Sequence, residues 1–245
     1  RLFAPAWIGF GHAFAAQDES DQAMAAYRTA GRLFVGCHLP ALCTGMEYLR
    51  TNNLTLAEQF CHQAADLCPT DPLLHNELGV VHFKNKRYAE AAEAFEKALE
   101  LCGCFGPRMQ PRRVTEAWEP ILFNLGHVHR KRGRYNEAAD CYHKALAYRG
   151  AAADHPREAA STYAAIGLTH HLQAAQALGT GDRARQAECL ELAIENYHTA
   201  LGLRPEDTFS SEMLAKALEE SFGEGGACAG TSDGLIPSMY VGVAE

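Results

Sequence analysis

The cysteines and histidines are the residues of this sequence that could bind a metal or act as nucleophiles. There are nine cysteines and twelve histidines among 245 residues. Two groups come near metal-ligand spacing, Cys61-His62 with Cys68 and Cys102-Gly103-Cys104. A structural zinc site needs four ligands in recognisable pairs, and the sequence has neither Cys-x-x-Cys nor His-x-x-x-His. We therefore expect no metal site.

Motifs for catalysis are also missing from the sequence. It contains no Gly-x-Ser-x-Gly elbow, no evident Cys–His nucleophile pair and no Gly-x-x-x-x-Gly-Lys phosphate loop. Gly9-Phe10-Gly11 lies within a helical pattern and is not typical of a dinucleotide-binding turn. The prediction is a protein with no catalytic residues and no cofactor.

A repeat of small residues predicts the helices that position these side chains. A glycine recurs every 34 residues in the first three units, and alanines follow it by 12 and 19 positions. The spacing recurs in a fourth unit and, with a longer interval, in a fifth. The repeat-packing set is Gly11, Ala23, Ala30, Gly45, Ala57, Ala64, Gly79, Ala91, Ala98, Gly126, Ala138, Ala145, Gly167, Ala193 and Ala200.

This spacing resembles the tetratricopeptide repeat (TPR), in which each unit is two antiparallel helices, A and B. The fold class predicted is all-α, a TPR α-solenoid forming a right-handed superhelix. The glycine of helix A and the first alanine of helix B should lie where the two helices cross. Three residues before the second alanine the sequence has Tyr27, Cys61, Phe95, Tyr142 or Tyr197, which should fill the space toward the next unit, since no repeat buries its apolar face alone.

The repeat predicts one array over residues 4–222. The units are expected at about 4–37, 38–71, 72–105, 119–152 and 160–206, followed by a capping helix at 207–222 that begins near Asp207 or Thr208. Extra residues near Cys102–Thr115, Tyr148–His155 and Gln173–Gln186 are expected at unit boundaries or turns, where they leave the stack intact. Residues 223–245 are Gly-rich, and we expect them to be disordered.

Helix A positions three before, one after and four after the glycine should line a concave groove that captures a partner's chain. The groove candidates are Ile8, His12, Met46, Leu49, Asn76, Val80, Phe83, Phe123, His127, Arg130, Ala164, Leu168 and His171. Three other histidines, His82, His129 and His170, share the position three after the glycine, where regularity favours a packing role. Two basic clusters, 84–87 and 130–134, span the A–B turns of adjacent units and should form one solvated ridge, at a place that suits the helix dipole.

Composition narrows the class of partner. The formal charge of −8 argues against nucleic acid, whose binding depends on Lys and Arg contacts to phosphate. No apolar run is long enough to span a membrane, and the first residues do not form a signal peptide. The thiols fall mostly in helical patterns, which favours a reducing compartment, cytoplasm or nucleus.

Several stretches beyond the repeat resemble one family. They are residues 21–27, 36–40, 118–120, 124–128, 130–131, 161–167, 198–204 and 207–210. The family is the cell-division-cycle-sixteen type of subunit of the anaphase-promoting complex, a ubiquitin ligase of mitotic cell-cycle control, and the likeness is to its C-terminal TPR array.

The resemblance implies a non-catalytic scaffold in the nucleus and cytoplasm. It implies contact with other subunits of the complex, a small accessory subunit whose N-terminal segment lies in the groove, and a homodimer formed through N-terminal repeats upstream of Arg1. The three inserted segments depart from the family pattern and leave their contacts open.

Two alternatives remain open. A co-chaperone would clamp a C-terminal carboxylate with Lys, Asn and Arg on consecutive helices, but Ile8, His12, Met46 and Asn76 occupy those positions. An adaptor fused to an enzyme domain outside this segment is the second alternative. Subunits that co-purify with the full-length protein would decide between them.

Overall fold

The computed structural model describes residues 3–103, 119–149 and 156–222, which form α-helices joined by short turns and contain no strand. The helices are α1 (Ala4–Ala15), α2 (Ser20–Leu33), α3 (Leu39–Arg50), α4 (Leu54–Leu67), α5 (Pro72–Lys84), α6 (Tyr88–Leu101), α7 (Glu119–Lys131), α8 (Tyr135–Arg149), α9 (Pro156–Thr180), α10 (Arg183–Leu203) and α11 (Thr208–Phe222). The predicted all-α class is confirmed.

The helices pack as consecutive pairs within two compact units. The first unit holds α1/α2, α3/α4 and α5/α6, and the second holds α7/α8, α9/α10 and the capping helix α11. Most of the extra residues near Cys102–Thr115 and Tyr148–His155, and the whole of 223–245, lie outside the described residues. The predictions for these segments therefore stay predictions.

Each A–B turn contains one residue in the left-handed backbone region. These residues are Asp18, Asn52, Lys86, Gly133 and Gly181, with φ between 60° and 78°. In the first four units the residue follows the repeat glycine by seven positions, so the turn recurs with the same register as the helices. A non-glycine residue pays a steric penalty in this region, which Asp and Asn tolerate better than Lys.

Helix starts are fixed by side chains that accept backbone hydrogen bonds. Asn53 accepts from the amide of Leu56 (3.3 Å) and Asp182 from that of Arg185 (3.0 Å). Asp71 accepts from Leu73 (2.9 Å) directly before Pro72, whose missing N–H suits the first turn. At α11 the cap is Asp207, which accepts from the amide of Ser210 (3.3 Å).

The extra residues near Gln173–Gln186 form helix rather than a loop. Helix α9 has 25 residues and α10 has 21, whereas the other A and B helices have 12 to 15. Gly181, in the turn, follows Gly167 by fourteen positions rather than seven. The insertion therefore adds about seven residues, close to two turns, to each helix of the fifth pair.

Candidate functional site

The repeat glycines lie against the aromatic residue of helix B in their own unit. A Cβ added at Gly79 would lie 2.7 Å from the Phe95 ring, and one at Gly126 would lie 2.5 Å from the Tyr142 ring. Gly45 is the least crowded, because its helix B residue is Cys61, with the sulfur 3.1 Å from such a Cβ. The sequence reasoning placed the alanine at this crossing and missed the aromatic ring.

Two of these helix B rings also contact the next repeat. Tyr27 packs with Cys43, and Tyr142 packs with Ala165 and Ile166. The ten alanines of the repeat-packing set are all buried. Tyr27 and Tyr142 therefore each connect the glycine of their own repeat to the following helix pair, which fixes the spacing of these repeats.

Two repeats add a hydrogen bond at this place. Tyr27 Oη lies 2.9 Å from His12 Nδ1, and Tyr142 Oη lies 2.7 Å from His127 Nδ1. Histidine follows the glycine directly only in these two units, and both have tyrosine fifteen residues later; the second and third units pair Met46 with Cys61 and Val80 with Phe95. This matched change of two residues is a sequence signal that the groove prediction overlooked.

The predicted groove residues differ in how much side chain they expose. Partly exposed are Ile8, His12, Met46, Phe83 and Leu168; buried are Leu49, Asn76, Val80, Phe123, Ala164, His127, Arg130 and His171. The repeat register thus predicts which face of the helix a residue occupies, but not how deeply its side chain is buried. Their role in binding a partner stays a prediction, and in this structure only the first group offers appreciable side-chain surface.

Polar side chains meet inside the second compact unit. His127 and Arg130 lie three residues apart on α7, and Tyr142 of α8, Tyr197 of α10 and His171 of α9 lie near them. His127, Tyr142 and Tyr197 are almost completely buried, and Arg130 is 6% exposed. We call these five residues the Arg130 cluster.

The hydrogen bonds of His127 can be assigned from its surroundings. Burial, and then the charges of Arg130 and Lys131, lower the pKa of His127 to about 3, so the ring is neutral. Burial raises the pKa of the Tyr142 hydroxyl, while the charge of Arg130 and a hydrogen bond from it act in the opposite direction. Because Arg130 can only donate to the Tyr142 oxygen, the hydroxyl proton goes to His127 Nδ1. The Nε2 atom of His127 then carries the ring proton and is a donor.

Several atoms of the Arg130 cluster have no hydrogen-bond partner among the residues that the structure describes. They are Arg130 Nε and Nη2, His127 Nε2, His171 Nδ1 and the Tyr197 hydroxyl. Burial, opposed by the charge of Arg130 and reinforced by that of Glu220, raises the pKa of Tyr197. Glu220, on α11, lies 3.1 Å from His171 Nε2.

The first unit buries an acidic group instead. Glu77 is fully buried and accepts a hydrogen bond from Asn76 (2.9 Å), while its Oε2 and the Oδ1 of Asn76 have no partner. Burial raises the pKa of Glu77 to about 7, against the opposing effects of the Asn76 hydrogen bond and the Lys84 charge.

The basic clusters are not uniform solvated ridges. Arg87 pairs with Glu58 (2.6 Å) and Glu90 (3.1 Å), and Lys84 Nζ donates to the Leu49 carbonyl (3.2 Å). In the second cluster Arg132 and Arg134 are exposed, but Arg130 is buried. The expectation that 130–134 is solvated is therefore wrong for Arg130, whose helical position turns it into the stack.

The three histidines of the other shared position are largely enclosed. His129 is buried and His82 and His170 are partly buried, and burial is the main cause that lowers the pKa of each. His170 Nδ1 lies 2.8 Å from Gln173 Oε1. Burial therefore disfavours the charged form of all three rings.

A search of the described residues finds no group of three His, Cys, Asp or Glu that could hold a metal ion. Burial, with smaller contributions from neighbouring groups, raises the pKa of Cys43 and Cys61 to about 12, which disfavours the thiolate that a nucleophile or ligand requires. None of the described helices is long and apolar enough to cross a membrane.

Comparison with known proteins gives two matches to family models. Residues 72–103 and residues 120–149 each match a tetratricopeptide repeat model. These segments coincide with α5/α6 and α7/α8, so the predicted TPR fold is confirmed.

Curated relatives show which kind of TPR protein the chain resembles. The chain is 44% identical over 216 residues to anaphase-promoting complex subunit 6 of Arabidopsis thaliana, which covers 88% of the chain and 34% of that protein. It is 42% identical over 237 residues to cell division cycle protein 16 homolog of Homo sapiens, which covers 94% of the chain and 33% of that protein. The chain is thus similar over most of its length to proteins of the APC6/CDC16 type. It spans about a third of the length of the relatives it matches.

A solved structure agrees with this family. The crystal structure of the APC/C hetero-tetramer Cut9–Hcn1 superposes with a TM-score of 0.71 at 34% identity, covering 89% of this chain and 36% of that chain. The APC6/CDC16 resemblance seen in the sequence is therefore confirmed.

Proposed function

We propose that this chain is a non-catalytic scaffold segment of an anaphase-promoting ubiquitin ligase in the nucleus and cytoplasm. It would hold a segment of a small accessory subunit against the A-helix face. The similarity to Cut9, which forms a hetero-tetramer with Hcn1, is the observation that carries the proposal. The array predicted over residues 4–222 would be the binding element.

The contact surface is proposed from the residues that the stack leaves accessible. Ile8, His12, Met46 and Phe83 remain partly exposed on the A helices of the first unit. Their apolar and aromatic groups suit capture of an extended or helical peptide. Phe123, although on the same predicted face, is 1% exposed, so changing it would test packing rather than binding.

The test is recovery of the tagged full-length protein from its own cells, with its partners identified by mass spectrometry. Wild type should co-purify subunits of the ubiquitin ligase, including a small one. Met46→Asp and Phe83→Asp should lose the small subunit and keep the large ones, because a carboxylate opposes burial against an apolar segment.

Val35→Asp is the matched control. Val35 is 93% exposed in the same unit and lies between α2 and α3, so the same charge change there should leave every partner bound. Circular dichroism must show that all three variants keep their helices. A preparation without ligase subunits would reject the scaffold role, and unchanged recovery of the small subunit would place its site elsewhere.

A further inference from the structure

The Arg130 guanidinium is a buried cation for which the described residues supply no acid. Among the described residues, none accepts a hydrogen bond from its Nε or Nη2 atom, and none of the ion pairs includes it. A buried charge is strongly unfavourable unless it is paired and hydrogen-bonded. Glu220 lies against a different member of the cluster, with its carboxylate 3.1 Å from His171 Nε2.

The unused groups beside this cation are donors. Tyr197 supplies a hydroxyl with no partner, and His127 supplies Nε2–H because its Nδ1 is occupied by Tyr142. His127 and Arg130 lie three residues apart on α7, and the ring of Tyr197 lies 6.4 Å from that of His171 in the same cluster, where the charge of Arg130 acts on its hydroxyl. The set combines one positive charge with neutral donors from two helices, α7 and α10, of one compact unit.

We propose that Arg130, Tyr197 and His127 form a binding site for a single carboxylate of a protein partner. A carboxylate accepts two parallel hydrogen bonds from a guanidinium, and its second lone pairs can accept from the Tyr197 hydroxyl and His127 Nε2–H. Its charge of −1 balances Arg130, whereas a phosphate dianion would leave a net negative charge buried beside Glu220.

Repeat register places the site on the A-helix face predicted as the groove. Arg130 stands four residues after the repeat glycine of α7, a groove position by repeat register, and keeps 6% of its surface exposed. Leu168, on the neighbouring α9, is partly exposed. The inference rests on the proposed function only in that a protein supplies the carboxylate, so it can be tested without any ligase subunit.

The experiment is an NMR titration of the ¹⁵N-labelled chain, following the Nε–H resonance of Arg130, which is assigned by its loss in Arg130→Lys. The probes are N-acetylglycine, with a terminal carboxylate, and N-acetylglutamic acid α-amide, with a side-chain carboxylate. Their neutral matches are N-acetylglycinamide and N-acetylglutamine α-amide. Inorganic phosphate is the third kind of probe.

At least one carboxylate probe should shift the resonance saturably, and its amide match should bind at least about tenfold more weakly, since a hydrogen bond to a charged group is worth about that factor. The carboxylate probe that binds more tightly identifies the source, chain terminus or side chain. Tyr197→Phe should weaken binding severalfold and keeps the ring that packs on Gly167. Arg132→Ala removes an exposed positive charge from the same turn and should leave binding unchanged.

Three results would overturn the site: no saturable shift with either carboxylate, equal binding of the amides, or tighter binding of phosphate. An equal loss in Arg132→Ala would also reject it, because the effect would then come from surface charge. Should Arg130→Lys fail to fold, Tyr197→Phe still decides whether the cluster takes part.

Discussion

The third and fourth repeats share one backbone design and bury opposite charges. In both, a glycine of helix A lies under an aromatic ring of helix B, Gly79 under Phe95 and Gly126 under Tyr142. The third repeat then buries Glu77 beside Asn76, and the fourth buries Arg130 beside His127 and Tyr142.

This difference in buried charge distinguishes two kinds of residue within a repeat. The glycine and its ring determine how closely the helices approach, and this contact is kept in both repeats. Glu77 stands two residues before its glycine and Arg130 four residues after its own, so the buried charged groups occupy different positions of helix A, neither of which makes the glycine–ring contact. Changes at the two kinds of position should therefore have different consequences.

The largest loss of stability is expected when a methyl group is added at the shared glycine–ring contact. Gly126→Ala places a methyl group 2.5 Å from the Tyr142 ring, and such overpacking should lower the free energy of unfolding by about 3 kcal/mol. Gly202→Ala, in exposed helix with nothing within 4 Å, should raise it by about 0.5–1 kcal/mol. Urea unfolding measures both; equal effects would mean that the ring contact does not determine the helix approach.

A smaller, pH-dependent effect is expected at the buried acid. Because the pKa of Glu77 is raised to about 7 from the 4.5 of an exposed glutamate, the unfolded chain loses this proton at lower pH than the folded chain. Its presence therefore costs stability progressively as pH rises from about 4.5 to 7, and the cost is constant above that. Glu77→Gln should leave stability unchanged at pH 4 and raise it at pH 8 by on the order of 2–3 kcal/mol.

Thermal unfolding of Glu77→Gln across this pH range provides the measurement. Glu93, which is exposed on α6 of the same repeat, offers the matched control, and Glu93→Gln should follow the wild-type profile. A constant difference between Glu77→Gln and wild type at every pH would show that the buried carboxyl does not titrate in this range.

Two tyrosine hydroxyls in the second compact unit differ in their hydrogen bonding. Tyr142→Phe leaves buried His127 Nδ1 without a partner and should lower the free energy of unfolding by about 1–2 kcal/mol. Tyr197→Phe removes a hydroxyl that has no partner and should change stability by less than about 0.5 kcal/mol. Chemical denaturation of the pair is the measurement, and similar losses would contradict the hydrogen bonding assigned to the Arg130 cluster.

The smallest effect is expected at the turns. The third repeat places Lys86 in the left-handed region, where the fourth has Gly133. Lys86→Gly should stabilise the chain by about 0.5 kcal/mol, because relief of the steric penalty exceeds the extra entropy of glycine in the unfolded chain. Gly133→Lys should destabilise it, and a calorimetric melt of both would show opposite shifts in Tm.

The sequence predicted the fold well because the repeat is carried by residues whose size matters more than their partners. Gly126 and Ala138 must be small wherever the chain places them. The spacing predicts extra residues at a turn of the fifth repeat, but they extend α9 and α10 because Gln173–Leu178 and Arg183–Gln186 are helix-forming residues.

Burial at the candidate site could not be predicted in the same way. Register placed Phe123, His127 and Arg130 on one helix face, yet all three are enclosed by neighbouring helices. Depth depends on the length and direction of side chains from other repeats, such as Tyr142 and Tyr197, which a 34-residue period does not encode. The His127–Tyr142 match was visible only by comparing two positions across all five repeats.

The fifth repeat shows how such an array can change its reach. Seven residues carry an α-helix through almost two full revolutions, so seven more on α9 and on α10 leave the same sides turned toward α8 and α11. An addition of three or five would rotate those sides away from their neighbours. Insertions of seven residues in each helix can therefore lengthen this hairpin and change what its tip contacts, while the contacts at its base stay the same.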